Sequence, residues 1–148
     1  MEALAAASSV IAVVGLSGQV LQGCSFIRQI LSNARNAPED LQLLITELSI
    51  IERVASSIEK SASSLSNEFL VEDAKPALEF CHEAVGKLQA VVEKYSDPVS
   101  SSTVKQWGRR LNMAMSTEKI AKHVARLERA KGHLLEVQMR ILMYMPLA

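Results

Sequence analysis

The sequence is poorest in aromatic residues and in net charge. Aromatic side chains make up 4% of the 148 residues, and 16 basic residues balance 16 acidic ones. Proteins that bind nucleic acid stack bases on aromatic rings and attract phosphates with a positive surface, so nucleic acid is not expected as a partner. Six glycines and four prolines are also few for a loop-rich sandwich or barrel.

Cysteine is scarce as well. Cys24 and Cys81 have no paired spacing, and we expect both to be small core side chains of a reduced, cytoplasmic protein. A signal peptide is disfavoured, because Glu2 stands where a basic residue should be. With 49% apolar residues, a chain of this length can bury one core, which predicts a single domain over residues 1–148.

The zero net charge conceals a strong segregation along the chain. Residues 3–27, called here the charge-free stretch, contain no charged side chain. Residues 37–98 carry twelve acids and five bases, whereas residues 99–148 carry three acids and nine bases. The chain therefore divides into a neutral apolar segment, an acidic middle and a basic end.

Apolar residues recur every three or four positions through most of the chain, which predicts helices and no strands. The first helix is expected over residues 2–33. Pro38 opens the second helix, because a first turn does not use the N–H that proline lacks. Its apolar positions, with Glu47 among the polar residues outside them, are Leu41, Leu44, Leu48, Ile51, Ala55, Ile58, Ala62, Leu65 and Phe69.

Two further long helices are expected. The third starts near Asp73 as N-cap, with Pro76 in its first turn, and Ser116 is the predicted N-cap of the last. Their apolar positions are Leu78, Cys81, Val85, Leu88, Val92 and Tyr95, then Ile120, Val124, Leu127, Ala130, Leu134, Val137, Ile141 and Tyr144. The predicted fold class is all-α: a four-helix bundle, made of helix 2–33 and residues 38–145, with an additional short brace helix around Trp107.

Catalytic chemistry has no visible basis. Glu79 and His82 form a Glu-x-x-His pair, but di-metal bundles need two such motifs, and this pair lies off the apolar positions and should be solvated. His123 and His133 are too far apart along the chain for an i,i+4 metal pair, and His123 is expected to be a partly buried packing residue. We therefore predict no catalytic residue, no cofactor, no metal and no small-molecule substrate.

The charge-free stretch admits two compatible interpretations. Its 25 residues would span about 37 Å as a helix, more than the hydrocarbon core of about 30 Å. At rest we expect it to be buried and wrapped by the other three helices; on activation it would exchange that core for lipid. The predicted membrane-inserting residues are Leu4, Val10, Ile11, Val13, Val14, Leu16, Val20 and Leu21. The predicted close-packing residues are Ser8, Ala12, Gly15, Gly18 and Gly23.

The basic end also admits two interpretations, favoured equally. Its side chains either pair with the acidic middle helices or contact an anionic membrane. The predicted lipid contacts are Lys105, Arg109, Arg110, Lys119, Lys122 and Arg126. Met139, Met143 and Met145 are expected to pack in the core near the end of the last helix rather than to form a partner surface.

The opening Met1-Glu2-Ala3-Leu4-Ala5-Ala6-Ala7-Ser8-Ser9-Val10-Ile11-Ala12-Val13-Val14, with Gly15, Gly18 and Gly23, carries a family resemblance. So do Ala37-Pro38-Glu39-Asp40-Leu41, the run from Glu47 to Glu52, and Trp107 before a basic last helix. Together they resemble the HeLo-like N-terminal domain of fungal STAND receptors. That domain is similar to the HeLo domain of the HET-S system and to the four-helix domain of the necroptosis pseudokinase MLKL.

The resemblance implies a cell-death execution domain that is cytoplasmic at rest and acts at the plasma membrane. An attached amyloid motif or NLR-type receptor would drive self-oligomerisation, and the N-terminal helix would then insert among anionic membrane lipids and permeabilise the membrane. No nucleotide-binding region or amyloid motif is recognisable before Ala148, so we expect the chain to be part of a longer protein. The rival hypothesis is a non-enzymatic interaction module that docks partner helices and never enters lipid.

Overall fold

The computed structural model describes residues 2–32, 39–62, 68–95 and 117–144, and all of them are helical. The helices are α1 (Glu2–Ser32), α2 (Glu39–Ala62), α3 (Glu68–Tyr95) and α4 (Thr117–Tyr144). No strand occurs in these ranges, so the predicted all-α bundle is confirmed. The predicted brace helix around Trp107 lies outside the described residues.

The four helices form a ring in which their order around the bundle differs from their order along the chain. α1 and α4 each pack against α2 and α3 and are diagonally opposed, while α2 and α3 touch only slightly across the centre. Arg140 of α4 lies beside Asp73 near the start of α3, and Cys81 lies beside Ala130. α4 therefore runs antiparallel to α3, and the end of α4 lies at the same end of the bundle as the start of α3.

The core is built from the inward positions that helical periodicity predicts. In α2 and α3, Leu44, Leu48, Leu78 and Leu88 are completely buried. In α4 the predicted Val124 is only partly buried, because the inward position of that turn is taken by His123. Burying side chains of this size stabilises a fold by roughly 1.5–3 kcal/mol each, so these long amphipathic helices supply most of the driving force.

Two predicted helix boundaries are wrong. The apolar positions of α2 do not continue to Phe69, because α2 ends at Ala62 and Phe69 belongs to α3. α3 begins at Glu68 rather than near Asp73, so Pro76 lies inside the helix. Pro76 is exposed, and the carbonyl of Glu72 that loses its helical hydrogen bond can therefore be hydrated. Ser- and Asn-rich sequence between Ala62 and Glu68 is the better boundary signal.

Candidate membrane-active helix and basic surface

The described helices cover one side of α1 and leave its other side uncovered. Its buried hydrophobic or polar side chains recur about once per turn and are Val13, Ser17, Val20, Cys24, Ile27 and Leu31. On the opposite side Ile11 is 72% exposed. The expectation that α1 is wrapped by three helices is therefore wrong: α4 lies diagonally across the bundle, and among the described helices α2 and α3 cover α1.

α1 also has the length and composition of a membrane span. The segment Val10–Leu31 has 22 residues and a mean hydropathy of 1.7, and 33% of it is buried. Core helices of soluble proteins and signal sequences satisfy the same criterion, but a core helix is mostly buried. With 33% of the segment buried, α1 is not enclosed on all sides by the described helices, and what separates it from α2, α3 and α4 is its hydropathy.

The predicted membrane-inserting residues occupy all sides of α1. Val13 and Val20 face the core, and Ile11 faces outward. The partly buried members are Val10, Val14, Leu16 and Leu21. Leu4 and Ser8 belong to the first turns of α1, but their side chains lie outside the described residues. The membrane role of these residues stays a prediction.

The three glycines of α1 differ sharply in their surroundings. A Cβ atom on Gly23 would lie 2.8 Å from Cγ1 of Val85 and 3.2 Å from Oε1 of Gln89, so this position packs directly against α3. A Cβ atom on Gly15 or Gly18 would meet nothing within 4 Å among the described residues, so their close-packing role stays a prediction. Ala12 is half-buried. Close packing between copies in a membrane stays a prediction.

Ser17 is a polar group at a core position of α1. Its side chain is completely buried, and its hydroxyl has no hydrogen-bond partner in the described structure. A buried hydroxyl without a partner costs about 1–3 kcal/mol. The sequence pattern does not single out Ser17, because a serine among alanines and glycines looks like any other small residue.

We expect Ser17→Ala to raise the free energy of unfolding by about 1–2 kcal/mol, because it removes this hydroxyl and favours the helix. Urea denaturation measures the change. Ser49→Ala is the matched control: the Ser49 hydroxyl donates to the Ile45 carbonyl at 2.9 Å, so its removal should give little gain. Equal gains for both variants would contradict the interpretation of Ser17.

An ion pair joins the C-terminal half of α1 to α2. Nε of Arg28 lies 2.8 Å from a carboxylate oxygen of Glu52, and the Glu52 side chain is only 17% exposed. Arg28 is also the first charged residue after the charge-free stretch. The pair therefore ties α1 to the bundle just beyond the charge-free stretch, within the C-terminal part of the Val10–Leu31 segment.

The basic residues of α4 differ in whether they form ion pairs with the acidic helices. Nζ of Lys131 lies 2.9 Å from the carboxylate of Glu47, and Arg140 lies 3.3 Å from Asp73, so these two pair with the acidic helices. Glu47 is buried by this contact, contrary to its predicted place among the outward polar residues of α2. Lys122 and Arg126 make no ion pair within the described ranges.

The proposed lipid contacts of α4 share one face. Lys119, Lys122 and Arg126 recur at helical spacing in its first three turns, with Lys119 and Lys122 exposed and Arg126 half-buried. Arg129, also exposed, extends the same face. We call these four residues the basic surface. Lys105, Arg109 and Arg110 lie outside the described residues.

The basic surface and the start of α1 lie at opposite ends of the bundle. α1 runs parallel to α3, since Leu16 lies near Glu79 and Gly23 lies near Val85. α4 runs antiparallel to α3, so its first turns lie beside the end of α3 rather than its start. The basic surface is therefore close to the C-terminal end of α1, where Arg28 pairs with Glu52.

His123 is buried at the α3–α4 contact, next to positive charge. Burial lowers its pKa below the usual 6.5, and the charges of Arg126 and of Lys87 on α3 lower it further. Nδ1 of His123 has no hydrogen-bond partner among the described residues. The predicted packing role of His123 agrees with this environment.

Because the pKa of His123 is lowered in the folded state, its neutral form is preferred there. The corresponding stability is fully present above pH 6.5 and is lost as the pH falls through the folded pKa. We expect His123→Gln to reduce the loss of stability between neutral pH and about pH 5, as measured by urea denaturation. His82→Gln, at an exposed position, should leave that loss unchanged. The reverse ranking would contradict the role assigned to His123.

The remaining titratable residues do not assemble a metal site in the described structure. Glu79 and His82 are exposed, as predicted for a solvated pair. The rings of His133 and Phe80 pack edge to face, with their centroids 5.2 Å apart. No group of three or more His, Cys, Asp or Glu residues suitable for a metal occurs within the described ranges.

Both cysteines are free and buried, in agreement with the predicted core role. Burial raises the pKa of Cys81 to about 12, and its thiol donates to the Ala130 carbonyl at 3.5 Å. Burial also raises the pKa of Cys24, and the nearby Glu52 and Cys81 add to the effect. Neither thiol is poised to ionise at neutral pH.

The methionines near the end of α4 contradict the predicted core packing. Met139 is 64% exposed and Met143 is 76% exposed, while Met145 lies outside the described residues. The inward side of this segment is already filled by Leu134, Val137 and Ile141. The remaining apolar residues of this segment must therefore point outward. The spacing of the apolar residues in the sequence already indicates this.

Comparison with known proteins identifies the family. Residues 7–143 match the SesA family, an N-terminal domain on NACHT NTPases and P-loop NTPases. No curated protein and no solved structure is matched by the chain. The match agrees with the N-terminal effector position in NLR-like proteins that the resemblance implies, whereas HeLo-type activity stays a prediction. Since the match covers most of the sequence, the chain belongs to the SesA family of N-terminal domains carried by NACHT and other P-loop NTPases.

Proposed function

We propose that this SesA domain is a membrane-permeabilising effector that acts in the manner of HeLo-like domains and without catalysis. It is cytoplasmic and autoinhibited as a bundle. An attached NLR-type or amyloid module drives its self-oligomerisation, and α1 then enters the plasma membrane. The observation that carries the proposal is the 22-residue apolar segment of α1, of which only 33% is buried.

The arrangement of the bundle supports release of α1 in particular. α4 contacts both α2 and α3, so these three helices remain connected when α1 leaves. In the N-terminal half of α1 the buried positions are Val13, Ser17 and Val20, whereas the larger Ile27 and Leu31 lie nearer its C-terminal end. The transfer free energy that opposes release is therefore smaller in the N-terminal half of α1, and Ser17 lowers it further.

The basic surface supplies the attraction to an anionic leaflet. Each basic residue near such a leaflet contributes about 1 kcal/mol. Lys122 and Arg126 are available because no acidic partner neutralises them in the described structure. Lys105, Arg109 and Arg110 add to the attraction in our proposal.

The opposite placement of the basic surface and the start of α1 has a mechanical consequence. A bundle that contacts lipid through Lys122 and Arg126 holds the C-terminal end of α1 near the membrane and its N-terminal end away from it. α1 must therefore detach from α3 and turn before it inserts. The Arg28–Glu52 pair holds the end about which it turns.

Leakage from dye-filled vesicles tests the proposal, with the domain fused to an inducible oligomerising module. We expect leakage from phosphatidylserine-containing vesicles, none after deletion of residues 2–27, and an at least tenfold loss for the Lys122→Glu, Arg126→Glu double variant. Arg53→Glu, on the exposed side of α2, is the matched control and should retain activity. Unchanged leakage after the deletion would refute insertion of α1.

A second candidate function is an interaction module that docks a helix and never enters lipid. It is favoured by an open groove of about 580 Å³ between α1 and α3, lined by apolar Leu16 and Ala90 and by polar Glu79 and His82. This alternative predicts no leakage and no vesicle binding by the oligomerised domain. Leakage that depends on α1 excludes it as the main activity.

A further inference from the structure

The outward side of α4 near its C-terminal end carries a row of exposed apolar side chains. Their exposed fractions are 39% for Leu135, 64% for Met139, 64% for Leu142 and 76% for Met143. Spacings of three and four residues place them on one face of the helix, which we call the α4 stripe. Since α2 and α3 cover the opposite side of α4, nothing in the described structure covers the stripe. A contiguous exposed apolar row of this kind usually marks an interaction site.

Opposite charges border the α4 stripe. Glu136 and Arg140 lie one helical turn apart on the same edge and contact each other at 3.0 Å, with exposed fractions of 61% and 48%. When a second copy of the helix lies antiparallel to the first, the order of acid and base is reversed, so that each acid can face a base of the other copy. An antiparallel copy would place Glu136 opposite Arg140 of the partner subunit, and Arg140 opposite Glu136 of the partner subunit.

We propose that two copies of the domain associate through their α4 helices, antiparallel and around a two-fold axis near Met139. The two Met139 side chains meet at the centre, and Leu135 packs near Met143 of the partner subunit. Two reciprocal Glu136–Arg140 contacts close one edge. Such an isologous contact uses the same patch on both copies, as two-fold symmetry requires.

The position of the α4 stripe is compatible with release of α1. α4 is diagonally opposed to α1, so a partner on the stripe leaves the uncovered side of α1 free. The inference deepens the proposed self-association by assigning it a surface.

Four side chains per copy give an interface at the small end of the range, below about 1,200 Å² in total, which is typical of weak and transient contacts. The dimer should therefore form when a receptor concentrates the domains.

Sedimentation velocity of the domain without lipid, over a concentration series, tests the contact. We expect the weight-average mass to rise toward a dimer at high concentration and Met139→Glu to remain monomeric, because a buried carboxylate without a partner opposes association. Leu43→Glu is the matched control: Leu43 is an exposed apolar residue on α2, outside the stripe, with an exposed fraction of 52%. Its variant should dimerise like the native domain, and circular dichroism checks that all variants fold.

The charged edge permits a stricter test. Glu136→Arg and Arg140→Glu should each weaken self-association, since each creates like-charge contacts across the two-fold axis. An equal mixture of the two variants should associate more strongly than either one alone, because every contact in the mixed dimer is again between opposite charges. A native domain that stays monomeric throughout, a Met139→Glu variant that dimerises, or a mixture no heavier than its components would overturn the proposal. None of these results depends on vesicle leakage, so the dimer and the membrane activity can fail separately.

Discussion

A lysine in place of Gly15 is expected to reduce vesicle leakage by roughly 100-fold without destabilising the bundle. Gly15 is the midpoint of the charge-free stretch, and a lysine near the centre of an inserted helix costs about 2.5–3.5 kcal/mol. In the resting bundle the position is exposed, and a Cβ atom there meets nothing within 4 Å. The substitution therefore raises the free energy of the inserted state and not that of the resting bundle. One variant thus distinguishes an effect on insertion from an effect on folding.

Two controls isolate the effect of charge in lipid. Gly15→Ala adds a side chain without charge and should keep its leakage activity. Gly86→Lys adds the same charge at an exposed glycine of α3 that also has open space, in a helix that stays outside the membrane. Urea denaturation establishes that all three variants are folded. If Gly15→Lys leaks like Gly86→Lys, then α1 does not enter the bilayer through its centre.

Amphipathic sequence explains why the buried sides of α2, α3 and α4 were predictable and that of α1 was not, although α1 itself was predicted as a helix. In those three helices charged residues mark the outer side, so the positions of Leu44, Leu88 and Leu134 in the core follow from spacing alone. α1 has no charged residue between residues 3 and 27, and exposed glutamines such as Gln19 and Gln22 are a weaker marker of its outer side. The core position of Ser17 and the exposure of Ile11 follow from the ring arrangement, in which α2 and α3 are the described helices that cover α1.

The sites where the sequence misled have separate physical causes. Glu47 is charged and was expected outside, but Lys131 pairs with it and makes its burial tolerable. Met139 and Met143 are apolar and were expected inside, but the inward positions of α4 near them were already occupied. The error at Glu47 concerns a partner on a neighbouring helix, which a single helical pattern does not contain, whereas the outward position of the methionines follows from the spacing of Leu134, Val137 and Ile141 on α4 itself.

A single helical pattern likewise does not show which glycine of α1 packs against a neighbouring helix. Substitution of the glycine that does so, Gly23, is the second change with a large expected effect. We expect Gly23→Leu to lower the free energy of unfolding by about 3 kcal/mol, near the upper end of the cost of overpacking a core. Its Cβ atom would lie 2.8 Å from Cγ1 of Val85. Valine has one strongly preferred rotamer in a helix, so Val85 cannot turn away cheaply and the two helices must separate.

Gly18→Leu provides the matched comparison within the same helix. A Cβ atom on Gly18 meets nothing within 4 Å, and replacing glycine in a helix gains up to about 1 kcal/mol. Urea denaturation should therefore show opposite changes for two identical substitutions five residues apart. Amide hydrogen exchange should also accelerate in α1 of Gly23→Leu more than in α4, because α4 does not pack against α1. Equal changes in both variants would mean that α1 is not held against α3 at Gly23, and release of α1 would then lose its structural basis.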